Sequence, residues 1–194
     1  MVFTIESLQK EVMARLGEIA MARPSLPALG VPTSADIVAA KIESMLPEEG
    51  AKLIRGASAG ELGSGIQMEV TVGDHKLMPC GLYAAEIELP EDFLRLVSLK
   101  MSGWEKSVSS LILPTSPEWD CQWSPEPGIA GCRQRPRGYW DGKLLRAICS
   151  QENDILESLY GWRIPVTDTD GNFEFPPIIY PDLIGAIESR IVSG

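Results

Sequence analysis

A single histidine, His75, is all the imidazole in this 194-residue chain. Any Ser-His-Asp or Cys-His arrangement would have to use it. It lies in Gly73-Asp74-His75-Lys76, which reads as an exposed hairpin turn, so a solvated turn residue is expected rather than a base. The four cysteines, Cys80, Cys121, Cys132 and Cys149, contain no CxxC pair. His75 with Cys80 has no second pair at metal-ligand spacing, so no zinc site is assigned. Nothing points to secretion, and reduced, mostly buried thiols are expected. Cys121 and Cys132 can close a loop on meeting an oxidant.

Phosphate-cradling motifs are also missing. There is no GxGxxG and no GxxxxGK[ST]; Gly60-Glu61-Leu62-Gly63-Ser64-Gly65 follows a helix-like segment instead of a strand, and reads as a linker. Asp168, Asp170 and Asn172 place oxygens at alternate positions, but the twelfth position of a calcium loop would be Ile179. A simple Asp-Gly turn is expected there. Glu91 and Asp92 are adjacent, and neighbours rarely point at one reaction centre, so a charged turn is expected. No catalytic, cofactor-binding or metal-binding residue is therefore assigned, and the chain is expected not to be an enzyme. A hydrolase would need a general base from carboxylates that the sequence does not pair.

No apolar run approaches the roughly 18 residues that span a bilayer. The opening MVFTIESLQKEV carries acid and polar residues where a signal peptide needs basic and then apolar ones, so the protein is expected to be made and kept in a cytoplasm. Basic residues are outnumbered, 17 Lys and Arg against 27 Asp and Glu, for a net charge of −10. The excess is spread over both halves. Proteins that grip DNA neutralise phosphates with clustered Lys and Arg. This composition argues against a repressor or nuclease and predicts no sequence-specific nucleic-acid binding, but it permits a wall that DNA slides past.

What remains is an α+β pattern. Residues 4–22 read as a helix, capped by Thr4, with Ile5, Leu8, Val12, Leu16 and Ile19 on one face. Pro24, Pro27, Gly30 and Pro32 make a linker. Ser34 is expected to cap a second helix, with Ala35, Val38, Ile42 and Met45 as its stripe, and Pro47 to end it or begin a short third helix that stops at Gly56. Residues 57–65 read as a flexible loop. Ile66, Met68, Val70 and Val72 then alternate with polar residues as in a half-buried strand. Gly73-Asp74 is expected to turn it into a second strand running from Lys76 toward Tyr83. Further strands are expected up to Met101 after the Pro90-Glu91-Asp92 interruption, in a Tyr139–Ile148 hairpin turning at Asp141-Gly142, and over Ile155–Ile164. Thr167–Asn172 reads as a turn, and Pro181 opens a last helix with Leu183, Ile184, Ile187 and Ile191 on its apolar face. The expected architecture is a single domain over 1–194. A helical body (1–56 and 178–194) carries a β-rich insertion (66–165) with a long irregular arm (114–138).

The arm holds the one interaction signal. Arg133, Arg135 and Arg137 alternate, so an extended chain would set them on one face, and Trp119, Trp123, Tyr139 and Trp140 are close in sequence. Trp, Tyr and Arg are enriched in interface hot spots. Trp119, Trp123, Arg133, Arg135, Arg137 and Trp140 are assigned as candidate partner-binding residues.

The segment LPEDFLRLVSLKMSGWEKSV, residues 89–108, resembles a stretch of the head-to-tail adaptor (connector) proteins of tailed bacteriophages. The matching positions are Leu89, Pro90, Asp92 and Phe93 in a turn, and Trp104 after the strand that follows. The pair RGYWDGKLLRAI and ILESLYGWRIP, the opening helices and the ending PDLIGAIESRIV are similar to the same family. The likeness covers most of the chain in order, and departs from the family in the long proline-rich loop 114–136. It implies a non-enzymatic structural protein of a phage or prophage particle, assembled in the bacterial cytoplasm into the virion. Such a protein contacts the portal protein and tail proteins and self-associates into a ring, with no cofactor and no membrane. The alternative from the residues alone is a cellular small-ligand-binding or regulatory module, with the Trp and Arg loop over a pocket.

Overall fold

The computed structural model describes residues 1–22, 35–149 and 151–193. The chain is of the α+β class. In chain order its elements begin with β1 (Val2–Thr4), α1 (Ile5–Ala22), α2 (Ala35–Gly56) and α3 (Ala59–Leu62). There follow β2 (Ile66–Gln67), β3 (Thr71–Leu77), β4 (Tyr83–Glu88) and β5 (Phe93–Met101), then a 3-10 turn (Trp119–Trp123) and α4 (Pro127–Ala130). The last are β6 (Gly138–Trp140), β7 (Leu144–Cys149), β8 (Leu156–Arg163), β9 (Asn172–Glu174) and α5 (Tyr180–Ser193). No described helix is long and apolar enough to cross a membrane. The chain divides into two compact units, residues 1–63 with 163–194, and residues 64–162.

In the first unit α1, α2 and α5 pack on one another. Leu8 and Val12 of α1, Ile42, Leu46 and Ile54 of α2, and Leu183, Ile184 and Ile187 of α5 are buried. Spacings of three and four put these side chains on one face of each helix. On α2 that face differs from the expected stripe: Leu46 is buried where Met45 is only half-buried. The helix also runs through Pro47 instead of breaking there. Proline in a helix interior removes a hydrogen bond and crowds the preceding turn, costing about 3 kcal/mol. Leu46 and Ile54, buried on either side, contribute about 1.5–3 kcal/mol each and offset it. The expected cap Ser34 and the proline-rich linker before it lie outside the described residues.

Residues 57–65 are not a plain loop. Ser58 accepts from the Glu61 amide and the Glu61 carboxylate accepts from the Ser58 amide, a reciprocal cap that starts α3. The sequence pattern also missed β1, which pairs antiparallel with β9, Phe3 opposite Phe173. Phe3 stacks on Tyr180, ring centroids 4.0 Å apart. The Thr167–Asn172 turn forms as expected: the Asp168 carboxylate accepts the Asp170 and Asn172 amides at 2.9 and 2.8 Å. The bond from the Asn172 amide, chiefly, holds that carboxyl below its ordinary range.

In the second unit, β3, β4, β7 and β6 form an antiparallel sheet in that order, and β2, β8 and β5 form another. Their shared core holds Ala85, Ile87, Leu96, Leu99, Met101, Trp104, Leu145, Ala147 and Leu159. Gly161 of β8 lets the neighbouring chain close in; a Cβ there would lie 2.7 Å from the Arg95 carbonyl and 2.9 Å from the Phe93 ring. The hairpin expected at Gly73-Asp74 is corrected. Both residues lie inside β3, where the register against β4 shifts between Val72 and His75. The reversal comes later, over Met78–Leu82, where the Met78 amide donates to the Leu82 carbonyl at 2.8 Å. The Asp141-Gly142 turn forms as expected, with the Asp141 carboxylate accepting the Lys143 and Leu144 amides and Gly142 at φ 104°.

Candidate partner-binding surface

Alternation along β4 and β7 splits the four-stranded sheet into two faces. Ala85, Ile87, Leu145, Ala147 and Cys149 point into the shared core. Ala84, Glu86, Arg146 and Ile148, with Tyr139 of β6, point the other way. Residues 113–131 fold over this second face. Segment and sheet together make a small second core: Met78, Cys80, Ala84, Ala130, Tyr139 and Ile148 are buried there, with Leu82, Ile112 and Trp119 packed against them. The segment expected to be irregular thus carries a 3-10 turn and α4, fastened at three points. The Tyr139 hydroxyl donates to the Ala130 carbonyl at 2.9 Å. The Trp119 ring meets Tyr139 edge to face at 6.1 Å. Gln122, fully buried, accepts through Oε1 from the Arg146 guanidinium at 3.5 Å and, within the segment, donates through Nε2 to the Trp119 carbonyl at 3.0 Å. Burial pushes the Tyr139 phenol above its ordinary range.

Arg146 is the hub of the charges on this face. It lies 3.3 Å from Glu86, directly opposite it across β4 and β7, and 4.0 Å from Asp141. Lys76 meets the same Glu86 at 2.6 Å. The Arg146 guanidinium also sits 5.8 Å from the centroid of Trp123, within cation–π range. The sequence reading did not single out Arg146, Glu86, Lys76 or Gln122. The strand period hinted at the first two, since each is polar between core-facing neighbours.

The six candidate residues do not gather at one place. Trp123 lies on the outside of the covering segment, 50 % exposed. Trp119 is half-buried beneath it. Trp140 packs on the opposite face of the sheet, its ring edge to face with Phe93 at 5.1 Å. The three arginines do not share the face of an extended strand. The Cys132 and Arg135 backbones bond to each other both ways, at 3.1 and 3.0 Å, closing a tight turn between them. Arg133 and Arg135 stand exposed on that turn, whereas the half-buried Arg137 lies 3.6 Å from Glu118. The turn accordingly separates Arg133 and Arg135 from Arg137.

His75 is likewise not in a turn. It lies on β3, half-buried, and its Nε2 donates to the Asp154 carbonyl at 2.8 Å. All four cysteines are free thiols; Cys80 and Cys149 are buried, and Cys121 and Cys132 are half-buried. The surface offers an indole, a guanidinium turn and apolar side chains, which is the chemistry of recognition. No protein-family model matches this chain, and no curated protein matches it.

Proposed function

We propose that this chain is a non-enzymatic structural protein of a tailed-phage or prophage particle. It acts as an adaptor between portal and tail through protein–protein contacts and self-associates into a ring, within the virion. The observation that carries the proposal is the segment with the family likeness. Leu89 and Pro90 lead through a tight turn, closed by the Phe93 amide on the Pro90 carbonyl at 3.0 Å, straight into β5, and Trp104 follows that strand fully packed. Further support comes from the chain order. The three long helices belong to one unit, and residues 64–162, with most of the strands, are inserted between α3 and the return to α5.

The test is the protein content of purified particles from a host that carries this coding sequence. Stoichiometric presence beside the portal protein is expected by mass spectrometry. Absence from particles that clearly contain portal and tail proteins would overturn the proposal. Within it, Trp123 is the docking anchor, because its ring is exposed while Trp119 is spent on the covering segment's own packing. Trp123→Ala is expected to abolish portal binding in a pull-down without changing the circular dichroism spectrum.

A further inference from the structure

Two patches of opposite charge sit at opposite ends of the four-stranded sheet. One is a shallow groove of about 400 Å³, lined by Glu69, Val70, Thr71, Glu88, Leu89 and Pro90. Thr71 pairs with Glu88, which places it at the Glu88 end of β4. Glu69 and Glu88 are exposed and have no ion pair among the described residues. The other patch is the Cys132–Arg135 turn. Arg137, two residues on, receives the Ile148 amide, and Ile148 pairs with Ala84, so the turn belongs to the Tyr83 end of β4. Arg135 is exposed and has no ion pair among the described residues. Arg133 lies 3.7 Å from Glu105, with both side chains more than half exposed, a pair that water screens.

Tyr83 and Glu88 are five residues apart on one strand, about 17 Å at the strand rise. The arginine turn therefore does not reach the acidic groove of its own chain, but two copies placed end to end bring them together. We infer that the Arg133–Arg135 turn of one copy docks into the Glu69–Glu88 groove of the next. The contact is heterologous, one patch meeting a different patch. That is the interface type that builds a ring when its rotation closes. The guanidinium heads meet the carboxylates at the rim, and the arginine stems cover Val70, Leu89 and Pro90. The net charge of −10 makes random encounters of copies repulsive, so this complementary pair also sets the register. The inference rests on the ring-forming reading above and supplies its contact.

Charge reversal tests it on the full-length chain by analytical ultracentrifugation at low ionic strength. Wild type is expected to self-associate, and about 0.5 M salt to dissociate it. The double variants R133E/R135E and E69K/E88K, each folded by circular dichroism, are expected to associate about tenfold or more weakly alone. Mixed in equal amounts they are expected to recover the wild-type association, because each reversed turn then meets a reversed groove. A wild-type chain that stays monomeric at millimolar concentration, variants that associate like wild type, or a mixture that does not recover would each overturn the contact. Particle content separates the two proposals. A chain found in particles whose association ignores both reversals loses this contact alone. One that passes the reversal test yet is absent from particles keeps the contact and loses the adaptor role.

Discussion

The hydroxyl of Tyr139 donates to the carbonyl of Ala130, nine residues back along the chain, at 2.9 Å, and both residues are fully buried. This bond ties the covering segment to the sheet beneath it. Tyr139→Phe keeps the ring and leaves that carbonyl without its donor, so a loss of about 1–3 kcal/mol is expected. Hydrogen exchange should locate the loosening at residues 126–131. Uniform protection unchanged from wild type would show that the segment is held by packing alone.

The two tryptophans of that segment should respond differently. Trp119→Ala removes a half-buried ring from the small core and is expected to lower stability by about 2–3 kcal/mol in urea unfolding. Trp123→Ala removes an exposed ring that meets the Arg146 guanidinium in a cation–π approach, and should cost under about 1 kcal/mol. Equal losses would mean that the Trp123 ring is as much a part of the fold.

Two helical glycines make a matched pair. A Cβ on Gly50 would lie 2.4 Å from Cγ of the buried Pro165 and 3.3 Å from the Phe175 ring. Gly50→Ala is expected to destabilise by about 1–3 kcal/mol despite the better helix propensity of alanine. A Cβ on Gly17 of α1 would meet nothing within 4 Å among the described residues, so Gly17→Ala is expected to stabilise by about 0.5–1 kcal/mol. Thermal melts of the two variants should move in opposite directions.

Burial pushes the Cys149 thiol up to about 12. A cysteine in the unfolded chain ionises near about 8.5. Between those values the unfolded state has lost a proton that the folded state keeps, so stability falls as pH rises, by at most about 1.4 kcal/mol per pH unit from this group. Cys149→Ala should shrink the drop in urea midpoint between about pH 8 and about pH 10.5. An identical drop in the variant would sink the assignment. In the native protein, a thiol reagent should label Cys121 and Cys132 quickly, and Cys80 and Cys149 only on unfolding.

Local chemistry made part of this fold legible in the sequence. Helices α1 and α5 showed themselves through one-sided stripes, and the β6–β7 hairpin through Asp141-Gly142, whose side chain and positive φ close the turn by themselves. Gly73-Asp74 offered the same signal and misled. The pair suits a turn or a register shift equally, and only the run of β4 alongside decides between them. Strands β1 and β9 are three residues each, too short for any period, and find one another across the length of the chain. The Ser58-x-x-Glu61 cap of α3 is legible as a helix start, but the glycines around it also suit a loop. Of the candidate surface, the aromatic and arginine content was visible, but not its distribution. Tyr139 and Trp140 went to opposite faces because β6 alternates, which set Trp140 apart from the tryptophans of the covering segment, and Arg146 joined Glu86 and Lys76 only through pairing across three strands.

The pairing of Val2–Thr4 with Asn172–Glu174 bears on how the chain is made. Synthesis delivers β1 and α1 well before their partners β9 and α5. The residues that Phe3 stacks on, Phe173 and Tyr180, are still unmade while everything between is emerging. Residues 64–162 hold their pairings among themselves and can settle during translation. The helical unit has to wait for residues 163–194 to leave the ribosome, with the part of α1 that packs on α5 uncovered until then. A pause or break just after residue 162 would therefore leave a finished β unit beside an open helical one.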